Sequence, residues 1–213
     1  MMTQQARLDL LIEAFEKFRS AILLYLLGLL IVIGASFSVL GVITSGFGTA
    51  TIGAGAAAGI IVGGIILLVG IIMLFQSAGK FAEFDPDRLG GFRTGLRLQL
   101  AAIVLMILGM LAIFASPGLG AGLVVIALIA ALVGEVLIGL FFMRLGDMGR
   151  EGLPIPDGFR LVGILYLVGI IINILQLIAI IMAYVYAGDA IRRLQAARTS
   201  GGQPVEQGYA TGF

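Results

Sequence analysis

The chain of 213 residues has no cysteine and no histidine. Without cysteine it forms no disulfide and offers no thiol chemistry. Without histidine it lacks the usual general base, the commonest metal ligand and the imidazole that holds a haem. Asparagine occurs once, and lysine twice against eleven arginines. Depletion of labile side chains is one habit of thermophile proteins. No phosphate-binding loop, nucleophile elbow or zinc-protease helix is present. Charged residues make up only 12% of the chain, so an enzyme built from it would have to rely on carboxylates. These absences point away from an enzyme and from any bound cofactor. The net charge of +1 carries no signal for nucleic acid.

What is present is apolar. Sixty per cent of residues are hydrophobic and the mean hydropathy is +1.14, a composition that leaves no polar exterior for a water-soluble domain. A bilayer crossing needs about 20 apolar residues. Runs near 21–43, 55–76, 97–115, 119–143 and 161–186 meet that length. The expected fold is therefore an all-α membrane protein, a bundle of five transmembrane helices over residues 20–187. Before it, Leu8, Leu11, Ile12, Phe15 and Phe18 recur at helical spacing opposite Arg7, Asp9, Glu13 and Glu16. That pattern predicts an amphipathic surface helix over 1–19. Acidic residues in this segment, and the length of the run that follows, argue against a cleaved signal peptide. Residues 188–213 read as a polar, largely disordered tail.

The placement of positive charge sets the expected orientation. Ten Lys and Arg residues lie before the first run and in the loops after the second and fourth, and none lies in the other two loops. The N-terminus is therefore expected on the cytoplasmic side of a plasma membrane. Five crossings then place the C-terminus outside, where Arg192, Arg193 and Arg198 oppose the rule. Either the tail is tolerated there or 161–186 is not a simple single crossing; the run is too short for two full spans, so five are kept. Asp85-Pro86 and Ser116-Pro117 read as helix starts, each a capping residue before a proline at the first helical position. Asp157 is expected to cap the fifth helix. Glu83, Asp85 and Asp87 lack the spacing of a calcium loop and read as capping and pairing with Lys80 and Arg88, so no metal site is expected.

Two stretches match at an offset of 67 residues. Phe75, Gly79 and Gly91-Phe92-Arg93 correspond to Phe142, Gly146 and Gly158-Phe159-Arg160. The spacing suggests that 56–115 repeats as 123–182 in the same orientation, as parallel repeats do in some transporters. Small residues recur every four positions at Gly55, Gly59 and Gly63, and again at Ala127, Ala131, Glu135 and Gly139. Such stripes let helix backbones approach closely in lipid. They serve internal packing or a seam between copies.

Glu135 is the one charged residue deep within an apolar run, nine residues before Arg144 and so about 13 Å along a helix from it. An ionised side chain at such depth costs ~2.5 kcal/mol or more, and protonation, a partner or water must offset that. Asn173 and Gln176 are the candidate hydrogen-bond partners, and Arg97 is a candidate to approach from the third run. The group reads either as a proton or cation relay or as interhelical glue.

The stretch Pro154-Ile-Pro-Asp-Gly-Phe-Arg-Leu-Val-Gly-Ile-Leu-Tyr-Leu-Val-Gly-Ile, with Tyr186-Ala-Gly-Asp-Ala-Ile and the glycine-punctuated runs before it, resembles a family of small archaeal multi-spanning proteins known as a domain of unknown function. The likeness covers about 20–190. It implies an archaeal plasma membrane and a helical bundle, and it supplies no activity. The expectation is a non-enzymatic accessory, scaffold or self-associating subunit, with the bilayer, copies of itself or other membrane subunits as partners. The alternative is a small-solute or ion transporter, proton-linked, that uses Glu135, Asn173 and Gln176.

Overall fold

The computed structural model describes residues 4–45 and 49–199. They form α1 (Gln4–Ser45), α2 (Thr49–Phe84), α3 (Pro86–Ala115), α4 (Pro117–Arg150), α5 (Phe159–Gly169) and α6 (Asn173–Thr199). Five of these, all but α5, are long and apolar enough to cross a membrane. The helices run so far because the five prolines stand at helix starts, in the 154–156 loop or in the tail. A proline inside a helix would remove a backbone bond and clash with the preceding turn. Asp85 caps α3 through its side chain, which accepts from the Arg88 amide at 3.0 Å. Ser116 starts α4 without a side-chain cap, and Gly158, not Asp157, precedes α5. Lys80 pairs with Glu13 at 3.0 Å and Arg88 with Glu151, not with the acidic residues of their own loop.

Neighbouring elements pack in a closed ring, α1 on α2, then α3, α4, α5 and α6, and α6 returns to α1. Two seams hold the long pairs, and both have a period of seven. Along α1, Ala14, Ala21 and Gly28 meet α2 at Ser77, Gly70 and Gly63. Along α3, Gly95, Ala102 and Gly109 meet α4 at Gly134, Ala127 and Gly120. All twelve are buried. A Cβ added to Gly95 would stand 2.9 Å from the Gly134 carbonyl oxygen, and one on Gly28 would stand 2.9 Å from that of Gly63. Ser77 donates from its buried hydroxyl to the Ala14 carbonyl at 3.0 Å. A seven-residue repeat keeps one stripe facing its partner over many turns. Gly59 and Gly63 thus face α1, Gly139 packs against Leu167 and Gly163 of α5, and Ala127 is buried. Gly55 is open and Ala131 is half-buried.

The first segment is not a separate surface helix. It is the beginning of α1, and Leu11, Phe15 and Phe18 are at most 1% exposed. Its apolar face packs into an aromatic core with Phe81, Phe92, Phe141, Phe142 and Phe159. Phe92 stacks on Phe141 at 4.1 Å, and Phe15 meets Phe81 edge-on at 5.0 Å. Aromatic pairs of this geometry add to the gain from burial alone.

The run over 161–186 is not one continuous helix but parts of two, α5 and α6. Gly169 lies against Gln176, Gly158 lies against Tyr186, and the Phe159 and Tyr186 rings are 5.8 Å apart. α5 and α6 therefore form an antiparallel hairpin that turns at 170–172. The turn satisfies its backbone locally, with Ile170, Ile171 and Leu175 amides bonded three residues back. The eleven residues of α5 rise only ~16 Å, about half the thickness of a hydrocarbon core. α6 then runs back along α1, where Arg198 pairs with Asp9 at 3.1 Å and Arg19 lies 4.8 Å from the Tyr184 ring centroid. Both ends of the described chain thus lie together. Residues 188–199 are helix rather than tail, and the disorder expected beyond them concerns 200–213, which lie outside the described residues.

The two copies of the 67-residue pattern place Phe92 and Phe159 alike, both buried in the aromatic core. Elsewhere they differ. Gly91, Phe92 and Arg93 lie within the unbroken α3, whereas Gly158, Phe159 and Arg160 open a helix that stops after eleven residues. Gly79 has open space around it, but a Cβ on Gly146 would overlap the Arg160 backbone nitrogen. Forcing a methyl into such a contact costs ~1–3 kcal/mol. Gly146→Ala is therefore expected to lower the unfolding midpoint in detergent clearly. Gly79→Ala should leave it unchanged or raise it, since alanine favours helix by ~1 kcal/mol. Equal effects of the two substitutions would contradict the α4–α5 packing.

Candidate functional site

The aromatic core closes one end of the ring, and a cavity of about 210 Å³ lies next to it. Every helix contributes to its wall: Tyr25 from α1, Phe75 from α2, Gln99 from α3, Glu135 from α4, Tyr166 from α5 and Ala183 from α6. Most of the remaining wall is Ile, Leu and Phe. The cavity is partly open. Past Tyr25, Gly70, Leu100 and Glu135, the buried residues described on α1–α4 all belong to the seam within one pair.

Glu135 is half-buried and accepts a hydrogen bond from the Gln176 side-chain amide at 2.6 Å. The fold supplies this donor by the hairpin turn. Gly169 allows α6 to start against α5 without a side chain between them, and Gln176 sits on the first turn of α6 facing α4. The Tyr166 hydroxyl lies close enough to interact with both Glu135 and Gln176, and Tyr25 stands within electrostatic reach of the same carboxylate. Gln99 donates to the Ala131 carbonyl across the α3–α4 seam at 3.1 Å. This satisfies the amide where the spacing of α3 would otherwise leave a polar group in an apolar wall.

Of the residues singled out in the sequence, Glu135 and Gln176 come together. Asn173 does not join them. It is exposed at the first position of α6, where an asparagine suits a helix start. Arg97 is exposed on α3, away from the carboxylate's bonded partners. Gln99, Tyr25 and Tyr166 belong to the site although the sequence reading passed over them. Their signal was a polar atom on an otherwise apolar run, the same signal that marked Gln176. Among the described residues no cluster of three acidic or other ligating side chains is placed to hold a metal ion.

The Glu135–Gln176 bond yields a double-mutant test. Removing one partner leaves the other group short of a bond in an apolar wall, at ~1–3 kcal/mol, whereas replacing both by apolar residues can be nearly neutral. Gln176→Leu is expected to destabilise the protein by that amount. Gln176→Leu combined with Glu135→Leu should recover most of the loss, as read from denaturation midpoints in detergent. Strict additivity would mean the two side chains do not interact.

No protein-family model matches the chain, and no curated protein or solved structure matches it either.

Proposed function

We propose that the chain is a multi-pass membrane protein that carries a small solute through its central cavity, with Glu135 and Gln176 as the groups that hold it. In this reading α1–α4 cross the bilayer. The α5–α6 hairpin dips into it from the side that bears the charges, and both ends of the described chain are cytoplasmic. The support for insertion is the length and apolarity of the helices and the outward face of the long pairs, where Leu30, Leu111 and Phe114 are 63–90% exposed. The support for orientation is charge. The hairpin brings Arg192, Arg193 and Arg198 to the end that holds the other Lys and Arg residues, in agreement with the positive-inside rule.

The observation that carries the proposal is the cavity, into which all six helices turn side chains and in whose wall a hairpin turn completes a bond to the one deep carboxylate. Interrupted helices meeting at membrane depth build solute sites in transporters. The alternative, an accessory or self-associating subunit, drew its support from small-residue stripes free to bind a partner. Those stripes are used within the chain, Gly59 and Gly63 against α1 and Gly139 against α5.

The absence of cysteine makes single-cysteine variants clean probes. In liposomes, Ile103→Cys in the cavity wall is expected to react with a charged, water-soluble thiol reagent. Leu108→Cys on the outward face of α3 should not. An inert Ile103→Cys means a dry cavity and removes the case for carriage. Gln5→Cys and Thr199→Cys are expected to react from the same side, and labelling from opposite sides would refute the re-entrant hairpin.

A further inference from the structure

The cavity wall is chemically one-sided. Seventeen described side chains line it. Six are aromatic, one is a carboxylate, and none is a lysine or arginine. An anion would meet Glu135 with no positive partner in the wall. A bare divalent ion needs six or more oxygen ligands, and the wall offers one carboxylate, with no acidic cluster nearby among the described residues. A neutral apolar molecule would leave the carboxylate without a use.

A cation whose charge is covered by alkyl or aryl groups fits all three parts of the wall. The carboxylate supplies the counter-charge. An ionised carboxylate has about four lone-pair sites, of which Gln176 takes one at 2.6 Å, so acceptor capacity remains beside Tyr166. Aromatic side chains attract cations through the negative faces of their rings, and Tyr25, Phe75 and Tyr166 bring aromatic surface from three different helices. The isoleucine and leucine wall takes up the apolar groups, as in ligand pockets where a few polar groups fix orientation. Resting on the reading of the cavity as a solute site, we infer that its ligand is a small lipophilic monocation of the quaternary ammonium class.

The test is calorimetric titration of the purified protein in detergent with benzyltrimethylammonium, neutral N,N-dimethylbenzamide and anionic benzenesulfonate. Wild type, Glu135→Gln and Glu135→Asp are compared, each first shown to be monodisperse. Saturable binding of the cation is expected, weakened by at least ~10-fold in Glu135→Gln, where the charge is lost but the shape kept. Glu135→Asp should retain most of the affinity. Equal cation affinity in wild type and Glu135→Gln overturns the inference. So does binding of the neutral or anionic compound as tightly as the cation, or no cation binding in wild type. Any of these results together with a thiol-reactive Ile103→Cys rejects the ligand class and leaves carriage standing. An inert Ile103→Cys rejects carriage itself.

Discussion

Close approach of helix backbones along the two small-residue seams is the constraint on which the rest of this structure depends. Lipid tails are as apolar as leucine, so in a bilayer no hydrophobic force drives one helix onto another, and association rests on dispersion and tight fit. The seams meet that need with residues that have almost no side chain, Gly95 against Gly134 and Gly28 against Gly63. Each long pair becomes a self-contained unit whose large apolar side chains point outward. The pairs meet where phenylalanines fill the space between them, and among the described residues the buried positions further out lie on the seam within one pair.

That division gives the hairpin its place. α5 and α6 close the ring between α4 and α1, and α5 is too short to extend the aromatic core along the whole bundle. At the charged end the ring is filled by Phe15, Phe18, Phe81 and Phe159. Just past it, filling stops and the cavity begins. The ion pairs at that end, Glu13 with Lys17 and Lys80 or Arg198 with Asp9, are exposed and worth ~0–1 kcal/mol each. They do not hold the bundle together.

Much of this was legible in the sequence. Apolar runs and proline positions placed α1–α4, and Glu135 and Gln176 stood out as polar residues on apolar runs. The seams were missed because the stripes were read every four residues, the spacing of one isolated helix face. The structure uses seven, the interval at which a stripe stays on a partner that winds with it. A broken 161–186 was weighed and set aside because the run is too short for two full spans, and composition does not report a turn. Its marks were Gly169 and Asn173, the chain's single asparagine, together with three arginines that a fifth crossing would have placed on the wrong side. Arg97 was offered to Glu135 from the inner end of the third run, but register across the α3–α4 seam sets Gly95 opposite Gly134, and Arg97 is exposed.

Magnitudes bear on what an ionised Glu135 would need, as distinct from a neutral, hydrogen-bonded one that only joins helices. An ionised carboxylate at depth costs ~2.5 kcal/mol or more, while a hydrogen bond between helices in a membrane returns ~0.6 kcal/mol on average. The bond from Gln176 therefore offsets only a fraction of the cost, and a well-packed apolar pair would join α4 to α6 at least as firmly. A cation in the cavity changes the sum, because attraction between opposite charges grows as the surroundings exclude water. In the proposed reading, the same apolar walls that make an ionised carboxylate costly would make its pairing with a charged ligand strong.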